Sequence, residues 1–214
     1  MPEYDASRLH VVDHPLVQHK LSILRDVNTS TKDFRELVNE LTLLEAYEAL
    51  RDLPVEDVEV QTPMETTVCK HIAGKKIAVI PVLRAGLGMV DGILRLVPTA
   101  RVGHVGMERD ERTHRPRPYY HKFPADVQDR TCIVVDPMLA TGGTLVATIR
   151  YLREADVTDI RCLTIVSCPE GVRTVLESDK DVELYTCVVD RQLNEDAYIL
   201  PGLGDAGDRI FGTK

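Results

Sequence analysis

The sequence predicts an α/β fold, a parallel sheet with helices on both faces, and three observations carry that prediction. The runs "KKIAVIPVL", "TCIVVD", "IRCLTIV" and "VELYTCVV" are apolar with hardly a break, the mark of strands covered on both sides. They alternate with segments of helical periodicity, the order of βαβ units. The 214 residues contain no repeat, low-complexity stretch or linker, so one domain spanning 1–214 is expected.

Taken in order, "TKDFRELVNELTLLEAYEALRD" places Phe34, Leu37, Val38, Leu41, Leu44, Tyr47 and Leu50 at helical spacing, and "NTST" before it offers caps. "DVEVQ" alternates like a strand. "TPMETTVCKHI" predicts a second helix, with Thr62, Pro63 and Glu65 at the N-cap, N1 and N3 places of a capping box. A strand at "KKIAVIPVL", a helix at "GLGMVDGILRLV" and a strand at "RVGHVGM" follow. "ERDERTHRPRPYYHKFP" is charged, proline-rich and aperiodic, which predicts a long loop, and its part from Glu108 to Phe123 is expected to close over a bound ligand as a lid. Strand "TCIVVD", helix "TLVATIRYLREA", strand "IRCLTIV", helix "PEGVRTVLES" and strand "VELYTCVV" complete the alternation. The tail, "NEDAYILPGLGDAGDRIFGTK", has too many glycines and acids for a helix or a strand, and an ordered irregular segment is expected.

Composition narrows the function. A formal net charge of -8 disfavours nucleic acid as a partner, whose phosphates dominate such affinity, but permits a small anionic substrate held by local basic residues. No charged-then-apolar leader and no bilayer-spanning run is visible, so no membrane partner and a cytoplasmic location are expected. The five cysteines include no C-x-x-C, and those in strand-like runs, Cys132, Cys162 and Cys187, read as core. His10 and His14 resemble half a metal site around Asp13 but lack a third ligand.

One stretch carries chemistry. "IVVDPMLATGGTL" has the shape strand, small-residue turn, helix. The first N–H groups of a helix lack partners and carry partial positive charge, and glycines let a guest approach, so the turn suits a phosphate. Asp136 at the strand end can accept from hydroxyls, which points to a sugar phosphate. No Walker sequence is present. Gly202, Gly204 and Gly207 match the dinucleotide pattern, but too few residues follow for a βαβ unit, and Gly86, Gly88 and Gly92 are off by one.

"VVDPMLATGGTL" resembles the signature with which type I phosphoribosyltransferases bind 5-phosphoribosyl 1-diphosphate (PRPP), here with Pro137 in place of the usual second acid. Together with "DHPLVQHKLSILRD", "PVLRAGLGM", "VGMERDE" and "YILPGLGDAGDRIFGTK", it makes the chain similar to the uracil phosphoribosyltransferase family over nearly its whole length. The resemblance implies a type I core with an irregular C-terminal base-binding segment, and conversion of uracil and PRPP to UMP and diphosphate in pyrimidine salvage. It implies catalytic roles for Asp136, Arg84 and Asp205. PRPP contacts are implied for Arg84, Arg109, Asp136, Pro137, Met138, Leu139, Ala140, Thr141, Gly142, Gly143, Thr144 and Asp205, with the N–H groups of Ala140 to Thr144 on the 5′-phosphate and the arginines on the diphosphate. Uracil contacts are implied for Ile199, Gly204, Asp205 and Ala206, largely through backbone groups. Mg²⁺ carried with PRPP, with no dedicated protein ligand, a homodimer or larger homo-oligomer, and GTP as an allosteric activator in some members belong to the same implication. An RNA-binding regulator, a silent PRPP sensor and an enzyme for another base share parts of the pattern. The first should show a basic face, and the second has no use for the uracil-type tail.

Overall fold

The computed structural model describes residues 5–74, 77–109 and 116–213, without the side chains at 108, 109 and 116. In chain order the strands are β1 Leu9–Val11, β2 Val55–Gln61, β3 Thr66–Ile72, β4 Ile77–Leu83, β5 Arg101–Val102, β6 His104–Arg109, β7 Pro116–Lys122, β8 Thr131–Val135, β9 Met138–Leu139, β10 Ile160–Ser167, β11 Val182–Val189, β12 Gln192–Leu193 and β13 Ile199–Leu200. The helices are α1 Pro15–Arg25, α2 Thr31–Ala49, α3 Leu87–Leu96, α4 Gly143–Glu154, α5 Pro169–Ser178 and α6 Ala206–Phe211.

The main sheet runs β1-β11-β10-β8-β4-β6-β7, with β5 beside β4 and β9 beside β10. Every pairing in it is parallel except β6 with β7. Its central strands are apolar throughout because successive side chains enter different cores. Ile77 and Val79 of β4 meet the core formed with α1, α2, α3 and α6, whereas Ala78, Ile80 and Val82 meet the one formed with α4 and α5. The predicted parallel sheet covered on both faces is therefore observed.

Three local expectations are corrected, and two elements appear where none was expected. Thr62 does not cap a helix: its hydroxyl accepts from the N–H groups of Met64 and Glu65, both at 3.1 Å, in the turn joining β2 to β3. A side-chain oxygen serves either structure equally, and the β-branched "TTV" that follows decides for a strand, paired from Gln61↔Thr66 to Val55↔Ile72. The long loop over 108–123 is replaced by a β6–β7 hairpin paired from His104↔Lys122 to Arg109↔Pro116, and residues 110–115 lie outside the described part. Prolines 116 and 118 are tolerated because β7 is an edge strand. The tail is not irregular throughout: β12 pairs with β13, and Asp205 starts α6 by accepting from the Asp208 N–H at 2.9 Å. Finally β1 and α1 precede the first expected element. His14 caps α1 by accepting from the Leu16 N–H at 3.1 Å, and His10 meets Glu183 at 2.6 Å and stacks on Tyr185, so each histidine has a structural partner.

Glu45 of α2 is fully buried and accepts from the Thr164 N–H at 3.2 Å. Burial raises its carboxyl well above the ordinary 4.5. The neutral acid is thus favoured in the folded state, so its contribution is complete below about pH 4.5 and is lost as pH rises toward the raised folded value. Glu45→Gln is expected to flatten the fall in thermal stability above pH 4.5, read as melting temperature against pH for both proteins.

Candidate active site

The signature turn sits where β8 stops. The Asp136 N–H still donates to Leu163 O at 3.2 Å, but Pro137 has no N–H to continue the ladder. One carboxylate oxygen of Asp136 accepts from the Met138 N–H at 3.3 Å, which turns the chain into β9. Val166 N–H and Cys168 N–H then donate to the carbonyls of Pro137 and Leu139, at 3.0 and 3.2 Å. Pro137 and Leu139 are accordingly buried against β10, and Met138 and Ala140 face the cleft. At Gly142 φ is +83°, a region other residues adopt at a cost, and α4 begins with no side-chain cap. No described residue accepts from the N–H groups of Thr141, Gly142, Gly143 or Thr144. Four such donors at the start of a twelve-residue helix are an arrangement that suits an anion.

A second wall comes from the turn after β4. A Cβ on Gly86 would lie 2.4 Å from Val135 O, so only glycine lets this turn rest against the end of β8. The Leu83–Arg84 peptide is cis. The Arg84 guanidinium lies 3.4 Å from the Asp208 carboxylate of α6 and 5.8 Å from the centre of the Phe211 ring, and its side chain is 58% exposed.

The tail makes the third wall. Arg25 at the end of α1 grips Asp190 with two bonds of 2.7 and 2.8 Å and Gly202 O with a third of 2.6 Å, and Asp190 also accepts from the Gly202 N–H at 2.9 Å. This anchors the segment leading to Gly204 and Asp205. Asn194 holds the other end through the N–H groups of Asp196 and Tyr198, at 3.0 and 2.8 Å.

The three walls enclose a cleft of about 540 Å³ that Arg84, Asp136, Met138, Ala140, Thr144, Ile199, Gly204, Asp205 and Ala206 line together. Thr141, Gly142 and Gly143 adjoin it in the turn. Pro137 and Leu139 are held in the sheet by their carbonyls, and the Arg109 side chain lies outside the described residues. Residues not expected as contacts also line it: Val82, Leu83, Ala85, Met107, Asp196, Ala197, Tyr198 and Gly207. Of these, Asp196 to Tyr198 adjoin Ile199 in sequence, whereas Met107 arrives only through the pairing of β6 with β4. The nearby thiol of Cys168 is pushed up to about 11 chiefly by burial, so it is not a thiolate nucleophile at neutral pH.

The chain matches known proteins over nearly its whole length. The family model for uracil phosphoribosyltransferase matches residues 11–213. A uracil phosphoribosyltransferase from Streptococcus suis is 56% identical over 207 residues, covering 97% of this chain and 99% of that protein. One from Lactococcus lactis subsp. cremoris is 57% identical over 210 residues, covering 97% and 100%. The chain belongs to the uracil phosphoribosyltransferase family. Among solved structures, the AQ2163 protein from Aquifex aeolicus superposes with a TM-score of 0.92 at 35% identity, over 96% of this chain and 99% of that one. A hypoxanthine-guanine phosphoribosyltransferase from Bacillus anthracis, at 16% identity and a TM-score of 0.52 over 75% and 80%, shares the fold. In this uracil phosphoribosyltransferase-family chain, no helix among the described residues is long and apolar enough to cross a membrane.

Proposed function

We propose that the chain transfers the 5-phosphoribosyl group of PRPP to uracil, yielding UMP and diphosphate. The observation that carries this is the meeting, in one cleft, of an uncapped helix start for a phosphate and a backbone-rich tail for a base. As the ribose C1–O bond breaks, its electron pair leaves with the diphosphate. Uracil N1 then supplies the pair for the new C1–N bond and loses its proton. The turn from Thr141 to Thr144 holds the 5′-phosphate, and Asp136 accepts from the ribose hydroxyls. Arg84 meets the charge gathering on the departing diphosphate, moving from its 3.4 Å contact with Asp208. Main-chain groups of Ile199, Gly204 and Ala206 read the acceptor–donor–acceptor edge of uracil, which cytosine does not reproduce. Family membership supports each of these roles.

Among the described residues no three His, Cys, Asp or Glu side chains form a metal cluster, whereas Asp136 and Asp205 both line the cleft. One or two carboxylates suit an ion that arrives with the substrate and keeps its waters. Held there by Asp136 or Asp205, Mg²⁺ would supply charge neutralisation for the leaving diphosphate. The same reading includes UMP salvage in the cytoplasm by a homo-oligomer, which sedimentation tests, and leaves GTP, an activator of some family members, to be tested by assays with and without it.

The deciding assay supplies PRPP, Mg²⁺ and a panel of bases and follows nucleotide and diphosphate together. UMP with equimolar diphosphate is expected, and nucleotide from another base but none from uracil refutes the reading. Arg84→Lys is expected to lower turnover about fivefold despite keeping the charge, since an ammonium cannot form the planar two-bond fork to diphosphate. Parental turnover at all PRPP concentrations would remove Arg84 from that role.

A further inference from the structure

The first turn of α5 touches both halves of the cleft without lining it. On one side it backs the phosphate turn. Cys168, the N-cap of α5, donates from its N–H to Leu139 O at 3.2 Å and from its thiol to Ala140 O at 3.1 Å. A Cβ on Gly171 would lie 2.4 Å from Ala140 O and 2.9 Å from Leu139 O. Thr174 continues the same stripe, and a Cβ on Gly142 would lie 2.9 Å from the Thr174 Cβ. Alanine is the better helix former, so a glycine inside α5 answers to the turn pressed against it. On the other side, Glu170 accepts from the Leu193 N–H at 3.1 Å, in the β12–β13 hairpin that delivers Ile199 to the cleft. That backbone bond is the main cause holding the Glu170 carboxyl below its usual range.

We propose that the first turn of α5 sets the distance between the phosphate turn and the base segment, with Gly171 and Glu170 as positioning residues for the two halves. Neither touches a substrate. The identity of the two ligands rests on the function proposed above. Gly171 presses on the turn and Glu170 bonds the hairpin, the Cys168 thiol lying between them beside the Glu170 carboxylate, so Gly171→Ala and Glu170→Ala should each disturb one ligand and spare the other, a split that general loss of stability does not produce.

The test compares the parent with Gly171→Ala, Cys168→Ala, Glu170→Ala and Glu170→Gln, measuring KM for both substrates, kcat, PRPP affinity by calorimetry and melting temperature. Gly171→Ala should weaken PRPP about tenfold, because it displaces a carbonyl of the turn, while uracil KM stays within about twofold. Glu170→Ala should raise uracil KM about fivefold with PRPP affinity unchanged, and Glu170→Gln, whose carbonyl still accepts, should restore it. A folded Gly171→Ala protein with parental PRPP affinity, or one that shifts both ligands equally, overturns the proposal. If Gly171→Ala does not fold, Cys168→Ala decides through PRPP affinity alone, since its thiol also meets Glu170: weaker PRPP supports the proposal, and parental affinity overturns it. A Glu170→Gln protein as impaired as Glu170→Ala also overturns it. A parent that binds PRPP yet makes no UMP refutes the proposed function instead, and its calorimetric PRPP comparison still judges the placement of the turn.

Discussion

Asp136→Asn is expected to lower kcat/KM for PRPP about thirtyfold while the protein stays folded. The amide has the carboxylate's shape, and its oxygen can still accept from the Met138 N–H, the 3.3 Å bond that turns β8 into β9. What it loses is charge. A hydrogen bond to a charged acceptor is worth about 1 kcal/mol more than one to a neutral acceptor, so two ribose hydroxyls account for about 2 kcal/mol, or roughly thirtyfold. The negative charge also favours the positive centre that develops at C1, so part of the loss should appear in kcat rather than KM. Steady-state constants at varied PRPP, with calorimetric PRPP binding beside them, separate the two. A variant within twofold of the parent in both would leave Asp136 the fixed point of a turn and nothing more.

The elements that could be read from the sequence share one property: the apolar pattern of each matches what it packs against, one buried stripe in a helix and a nearly unbroken run in a central strand. The α5 range "PEGVRTVLES" and the β11 range "VELYTCVV" coincide with the observed elements for that reason. Errors arose where a local signal has two physical outcomes. A threonine three residues before a glutamate satisfies N–H groups at a helix start or in a hairpin turn, and only the residues after Glu65 decide. Prolines mark a loop or an edge strand, and only the sheet order shows that β7 lies at an edge. The six residues of α6 are too few to show periodicity, although Asp205 before Ala206 is a legible cap. Arg84, Asp136 and the tail were legible because each is part of a short contiguous motif. Met107 lies inside "VGMERDE" but was not legible as a contact, since it reaches the cleft through the pairing of β6 with β4, which no local pattern encodes. The Asp-Pro step at 136–137 raised the question of a missing acid, and Asp205 lining the same cleft is the candidate to supply it.

Ala206→Pro is expected to weaken uracil roughly ten- to hundredfold while PRPP binding stays near parental. Ala206 is buried at the first position of α6, directly after its cap. Proline is favoured at that position, where the missing N–H has no partner within the helix. Asp205 before it has φ -84° and ψ 111°, the extended backbone a following proline requires. The substitution therefore deletes one donor with little disturbance of the fold. If that N–H pairs with a uracil oxygen, its loss leaves a buried acceptor unsatisfied, at about 1–3 kcal/mol, which is the stated change in affinity. Ala206→Ser keeps the N–H and adds only a hydroxyl, so it should stay within about threefold of the parent. Uracil and PRPP constants for both variants, with circular dichroism to establish folding, make the comparison. Near-parental uracil binding by a folded Ala206→Pro protein removes this N–H from the site and leaves backbone recognition of uracil to Ile199 and Gly204.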